Sequence, residues 1–111
     1  FVITRGLDNC INLFPIERWS EVEARLKELK ITNSKHRAYQ RFILSAATKL
    51  SLDNQGRLSI PASLMKYSEI EKNAIITGSD DRIEIWSEEK WETYMNEKIG
   101  IIEDIADEID F

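Results

Sequence analysis

Two stretches of this chain are versions of one another. "VITRGLDNCINLFPIERWSEV" (2–22) and "AIITGSDDRIEIWSEEKWETY" (74–94) align without a gap, each residue 72 positions from its counterpart. Ile3, Gly6, Asp8, Ile11, Glu17 and Trp19 match Ile75, Gly78, Asp80, Ile83, Glu89 and Trp91, and Phe14 faces Trp86. A gapless self-match of this kind marks a duplicated structural unit. It limits the fold to one that uses the same local piece twice.

The piece has a physical reading. Ile75–Thr77 is a short apolar strand, "GSDD" a turn, and "RIEIW" an alternating second strand, which together predict a hairpin. Ser87 is a good helix N-cap, and Glu88 and Glu89 then sit where the helix dipole favours acids. In the first copy Pro15 opens a helix. Ile16, Trp19, Val22, Leu26 and Leu29 follow at spacings of three and four, so that helix is expected to run to about Lys30. Both Trp residues read as core anchors. Between the copies, Asn33 or Ser34 caps a helix over "KHRAYQRFIL". "ATKLSL" and "RLSI" read as strands flanking "DNQGR", and Pro61 opens the short helix "ASLMKYSEI". The fold class expected is α+β, with short β-hairpins and packed helices. The tail, with Ile99, Ile102, Ile105, Ala106 and Ile109, is amphipathic: a surface helix or a partner-binding one.

Shifted back by 72, the strand–turn–strand–helix of residues 46–73 falls before Phe1, and Arg57 has no counterpart in the chain. The expectation is a first repeat incomplete at its N-terminus, with some two dozen residues preceding it in the natural protein. Near Phe1–Arg5 the chain should then borrow strands from a neighbour or lack order, because an unpaired edge invites pairing.

Charge is polarised along the sequence. The formal balance is −5, but five of the 20 acids (Glu103, Asp104, Asp107, Glu108, Asp110) lie in the last nine residues, and the other 15 equal the 15 bases in number. No acid occurs between Glu28 and Asp53, where Lys30, Lys35, Arg37, Arg41 and Lys49 fall. Taken alone this segment is a solvated helix face, yet a local basic surface matters more for DNA than the average charge. Cys10 is the single cysteine, so no internal disulfide forms, and a reducing cytoplasm is the simplest compartment. No apolar run approaches the roughly 20 residues needed to cross a bilayer.

The turn at residues 53–57 carries the functional question. Gly56 supplies a positive φ, Asn54 tolerates a left-handed backbone, and Asp53 can bind the turn's own amides and pair with Arg57. That describes a self-stapled hairpin. It accounts for Asp53 and Gly56 more fully than for Gln55 and Arg57. The other reading is a recognition edge, with Arg57 and Gln55 facing outward. Arg pairs bidentately with guanine and Gln with adenine in the major groove, which admits a two-stranded ribbon. One such pair gives about 1–3 kcal/mol of discrimination, so several arms must act together.

These residues carry a resemblance. "LDNQGRLSIPASL" followed by "IEIWSEEKWETY" resembles the second half of MraZ proteins, bacterial transcription regulators of the AbrB-like swapped-hairpin fold. "FVITRGLDNCINLFP" and "HRAYQRFILSAATKLSLDNQGR" look like the family's middle region. The resemblance implies two AbrB-like pseudo-repeats, the first incomplete. Residues 1–45 would be the remainder of the first half with a connecting helix, 46–98 the second half, and 99–111 an acidic tail. It implies a ring-shaped homo-oligomer on double-stranded promoter DNA, binding direct repeats upstream of the division and cell-wall gene cluster, in the cytoplasm and at the nucleoid. By position, Asp53 and Arg57 are the family's second D-x-x-x-R motif. The DNA-binding set expected is Arg57, Gln55, Asn54 and Lys49, with Asp53 and Gly56 structural. Arg37 and Arg41, four apart on a helix, are expected at a subunit contact.

The alternative is a protein-interaction module of antitoxin or scaffold type, using residues 99–111. An enzyme is poorly supported. His36 lies in a basic helix, and Cys10 has no sequence-local base to activate it. Asp80 and Asp81 are turn residues by their repeat context. No phosphate loop, metal-ligand spacing or nucleophile motif is present. No cofactor, metal, membrane or small-molecule substrate is expected.

Overall fold

A computed structural model describes residues 1–109. The elements are β1 (Val2–Arg5), β2 (Ile11–Phe14), α1 (Ile16–Lys27), α2 (Ser34–Leu44), β3 (Thr48–Lys49), α3 (Ala62–Ser68), β4 (Ala74–Ser79), β5 (Arg82–Ser87) and α4 (Glu88–Glu108). All strand pairs are antiparallel, in one sheet of order β3-β1-β2-β5-β4. The α+β expectation holds at this level: a five-stranded antiparallel sheet with four helices.

Alternation along the strands makes two cores. Ile3, Ile11, Leu13 and Ile85 face one side, where Leu64 of α3 and Ile70 close over them. Val2 and Phe14 face the other and meet Trp19 and Leu26 of α1 and Ile43 of α2. Each fully buried aliphatic side chain contributes roughly 1.5–3 kcal/mol. Thr4 is buried on the second side, and its hydroxyl donates to the Ile43 carbonyl at 2.6 Å, tying α2 to β1. The hairpins β1–β2 and β4–β5 join through their inner strands, with Ile11 opposite Ile85, Asn12 opposite Glu84 and Leu13 opposite Ile83.

The caps follow the sequence. Asn33 accepts from the N–H groups of Lys35 and His36, and Ser87 from that of Lys90. The helix opened by Pro15 stops at Lys27, earlier than its apolar spacing predicts. Strands β4 and β5 extend to the Ser79–Arg82 pair, leaving only Asp80 and Asp81 as the turn. Trp19 is buried beside Phe14, whereas Trp91 is half-buried with its ring 5.3 Å from Trp86.

Two expectations need correction. The strands read in "ATKLSL" and "RLSI" are largely absent: only Thr48 and Lys49 pair, with Ile3 and Val2, and residues 50–60 form no ladder. Leu50, Leu58 and Ile60 still turn inward onto the first core, so the alternation was real. β1 flanks the "ATKLSL" side over Thr48 and Lys49 only, and no described strand pairs with "RLSI", so the ribbon lacks the full third strand that would hold it. The start of the chain is also ordered. Val2–Arg5 pairs with β2 on one side, Val2 and Ile3 pair with β3 on the other, and the Phe1 ammonium donates to the Leu50 carbonyl at 3.1 Å. The sheet's edge strands are the short β3 and, at the far side, β4.

Candidate nucleic-acid interface

Residues 53–57 form a braced finger beyond the β3 edge of the sheet. The Asp53 N–H donates to the Arg57 carbonyl at 2.9 Å, and the Gly56 N–H to the Asp53 carbonyl at 3.0 Å. Gly56 sits at φ 74°, a left-handed conformation that glycine takes without steric cost. The Asp53 side chain does the rest. Its Oδ1 accepts from the N–H groups of Gln55 and Arg57, both at 2.8 Å, and its Oδ2 from Arg57 Nε at 3.1 Å. The N–H groups of Arg57 and then Gln55 hold the Asp53 carboxyl below the usual carboxylate range; desolvation opposes them, and the Arg57 side chain adds a lesser lowering.

This arrangement orients a cation. The Arg57 side chain is 71% exposed, and among the described residues nothing engages its terminal Nη groups. The guanidinium is held by one edge and free at the other, the geometry needed for a bidentate contact. Asn54 and Gln55 are exposed beside it, and Lys49 is exposed on β3. The sheet anchors the finger through Leu50, Leu58 and Ile60.

The remaining candidates lie elsewhere. Arg37 donates to the Ile31 carbonyl at 2.7 Å, fastening α2 to the preceding turn, while Arg41 is exposed. His36 is exposed near the start of α2. Cys10 is buried, and desolvation, then the charge of Glu84, push its thiol up to about 12. It is a packed thiol rather than a nucleophile.

Other polar ties were invisible to local sequence reading. Arg18 of α1 reaches Asp81 in the β4–β5 turn, with Nε 2.9 Å and Nη2 2.8 Å from Oδ2. Desolvation raises the Asp81 carboxyl, but the hydrogen bond and charge of Arg18 outweigh it and leave the group lowered. Lys90 pairs with Glu69 at 2.9 Å, and that hydrogen bond raises the lysine. A cleft of about 550 Å³ opens between the helices on the Phe14–Trp86 face, with Asn12, Arg82 and Glu84 on its floor. Arg5 lies over the Phe42 and Tyr67 rings, 5.1 and 5.8 Å from their centroids, and the Tyr67 hydroxyl donates to the Gly6 carbonyl at 2.7 Å. None of these pairs is close in sequence, so no local motif signals them.

The structure is that of an α+β protein with an exposed, Asp-braced cationic turn beyond one edge of its sheet. The chain belongs to the MraZ family. The family model described as "MraZ protein, putative antitoxin-like" matches residues 43–111. A protein of Natranaerobius thermophilus named "Transcriptional regulator MraZ" is 45% identical over 109 residues, 98% of this chain and 76% of the relative. Proteins of the same name from Clostridium tetani and Lactiplantibacillus plantarum are 47% and 45% identical, over 98% and 100% of this chain and 76% and 79% of their own lengths. These relatives are named as regulators, not catalysts, and the chain is non-enzymatic. No described helix is long and apolar enough to cross a membrane.

Proposed function

We propose that this chain is a transcriptional regulator that reads promoter DNA with the Asp53–Arg57 finger and does so as an oligomer. The observation that carries the reading is the exposed Arg57 guanidinium, clamped on its Nε side by Asp53 and unengaged at its Nη groups. Arg57 and Gln55 would meet base edges, Asn54 and Lys49 the backbone nearby, and Asp53 and Gly56 keep the turn in shape. One finger supplies too little discrimination alone, so copies must be linked. The targets proposed are direct repeats upstream of the division and cell-wall gene cluster, with the protein in the cytoplasm and at the nucleoid.

The architecture proposed beneath this is a pair of AbrB-like halves, the first incomplete here. The division is residues 1–45, residues 46–98 and the tail 99–111. The β2–β5 register supports it. A shift of 72 carries Ile11 to Ile83, Asn12 to Glu84 and Leu13 to Ile85. Exchanging the two stretches therefore maps the three observed pairs onto themselves, as a local two-fold through Asn12 and Glu84 requires.

The test is a titration of fluorescent promoter duplex with wild type and Arg57→Ala. Specific binding should weaken more than tenfold, and wild-type affinity should fall steeply with salt as counterions are released. Equal affinities would remove Arg57 from the interface. The second reading, an antitoxin-type module, draws on the words "antitoxin-like" and on the bare apolar end of α4. Stoichiometric capture of a protein with no retained promoter DNA would favour it.

A further inference from the structure

The distal half of α4 has no partner among the described residues, and a groove elsewhere on the molecule matches it. The helix runs unbroken from Glu88 to Glu108, about 31 Å at 1.5 Å per residue. Only its first part meets the sheet: Trp91 and Tyr94 stack near Trp86, at 5.3 and 5.1 Å between ring centroids. Beyond Lys98, Ile99, Ile101, Ile102, Ile105 and Ile109 are 40–57% exposed. Glu103, Asp104, Asp107 and Glu108 lie among them, and no base follows Lys98. An apolar stripe edged by acids is costly to leave in water and suits an apolar groove edged by bases.

Such a groove of about 510 Å³ lies between α1 and α2. Val22, Leu26, Leu29 and Tyr39 provide its apolar surface, and Arg25, Lys35 and His36 its polar edge; no acid lines it. Arg18 also borders it but is already committed to Asp81 and Glu21. Arg25 and Lys35 have no ion-pair partner among the described residues. A continuous helix fixed at Trp86 cannot double back into its own groove, so the tail that fills it comes from another copy.

We propose that residues 99–109 of one copy dock in the α1–α2 groove of the next. This names the contact behind the oligomer proposed above and rests on that reading. Groove and tail are different surfaces, so the contact is heterologous. It propagates head to tail and closes into a ring when the rotation permits. Each copy would give one tail and receive one.

The test is solution mass by light scattering on the whole chain, with three variants. Ile102→Asp/Ile105→Asp alters exposed positions of one helix and should reduce the oligomer to small species at unchanged helicity. Arg25→Glu/Lys35→Glu should do the same from the groove side. Adding Asp104→Lys/Asp107→Lys to that groove variant should restore the assembly. Mixing Ile105→Cys with Leu29→Cys under oxidation should give a covalent dimer that neither gives alone, since Cys10 is buried. An oligomeric wild type with both single-surface variants unchanged in mass would overturn this contact and leave the DNA reading intact. A monomeric wild type that still binds promoter DNA through Arg57 would overturn the contact and the oligomer together.

Discussion

In the first hairpin–helix unit both outer surfaces are covered. β3 pairs along β1, and α2 lies over α1. In the second unit β4 has no outer neighbour among the described residues, and α4 is bare beyond Lys98. The contrast is sharpest at one pair of equivalent positions. Thr4, a polar residue, is fully buried, with its hydroxyl donating to α2. Its counterpart Ile76, an apolar one, is 69% exposed on the β4 edge. Local pattern made the same elements twice. Burial was decided by the segment that follows each, and residues 28–49 follow only the first. The β4 edge with its exposed Ile76 and the acid-edged Ile stripe of α4 are the apolar surfaces left open in the second unit, among the described residues.

That contrast can be broken by substitution. The largest effect belongs to the covered unit. Ile3→Ala empties a fully buried site and should cost about 2–5 kcal/mol in urea unfolding. Ile76→Ala should stay within about 0.5 kcal/mol. Comparable losses at the two positions would mean that β4 is covered in solution. The next effect is at the matched glycines. A Cβ on Gly6 would lie 2.7 Å from both Asn12 Oδ1 and Cys10 Sγ, whereas one on Gly78 meets nothing within 4 Å. Gly6→Ala should therefore destabilise by about 1–3 kcal/mol and Gly78→Ala hardly at all. If both are neutral, the crowding at the first turn is relieved more easily than its packing suggests.

The smallest effect is one of pH and is local to the finger. The Asp53 carboxyl is lowered in the folded state, so its contribution is complete above the unfolded value of about 3.9. It is lost as pH falls through the lowered folded value. Hydrogen-exchange protection at the Arg57 and Gln55 amides, corrected for intrinsic rates, should persist at neutral pH and fade in strong acid. Protection that is unchanged across that window would show that the turn is held without its carboxylate.

Much of this was legible in the residues. The two hairpins, the Ser87 cap and the Asp53 staple all rest on contacts between near neighbours and were found as read, and of the two caps offered before α2, Asn33 or Ser34, Asn33 is the one used. What escaped the sequence is non-local. The β2–β5 pairing links residues some 70 apart, the Arg18–Asp81 tie spans 63, and "ATKLSL" pairs with the distant β1 only over Thr48 and Lys49 while "RLSI" finds no described strand. At the site, the brace was readable from D-N-Q-G-R. The freedom of the Arg57 Nη groups was not, because it depends on which elements pack near the finger.

Contact between finger and base edges is tested most directly by disulfide trapping on a promoter duplex bearing a thiol-tethered base in the direct repeat. Cys10 is buried, with its thiol pushed up to about 12, and stays silent. Gln55→Cys should capture the duplex rapidly, while Lys35→Cys on the α1–α2 face should not. Capture by Lys35→Cys with none by Gln55→Cys would place DNA on the helical face and contradict the finger.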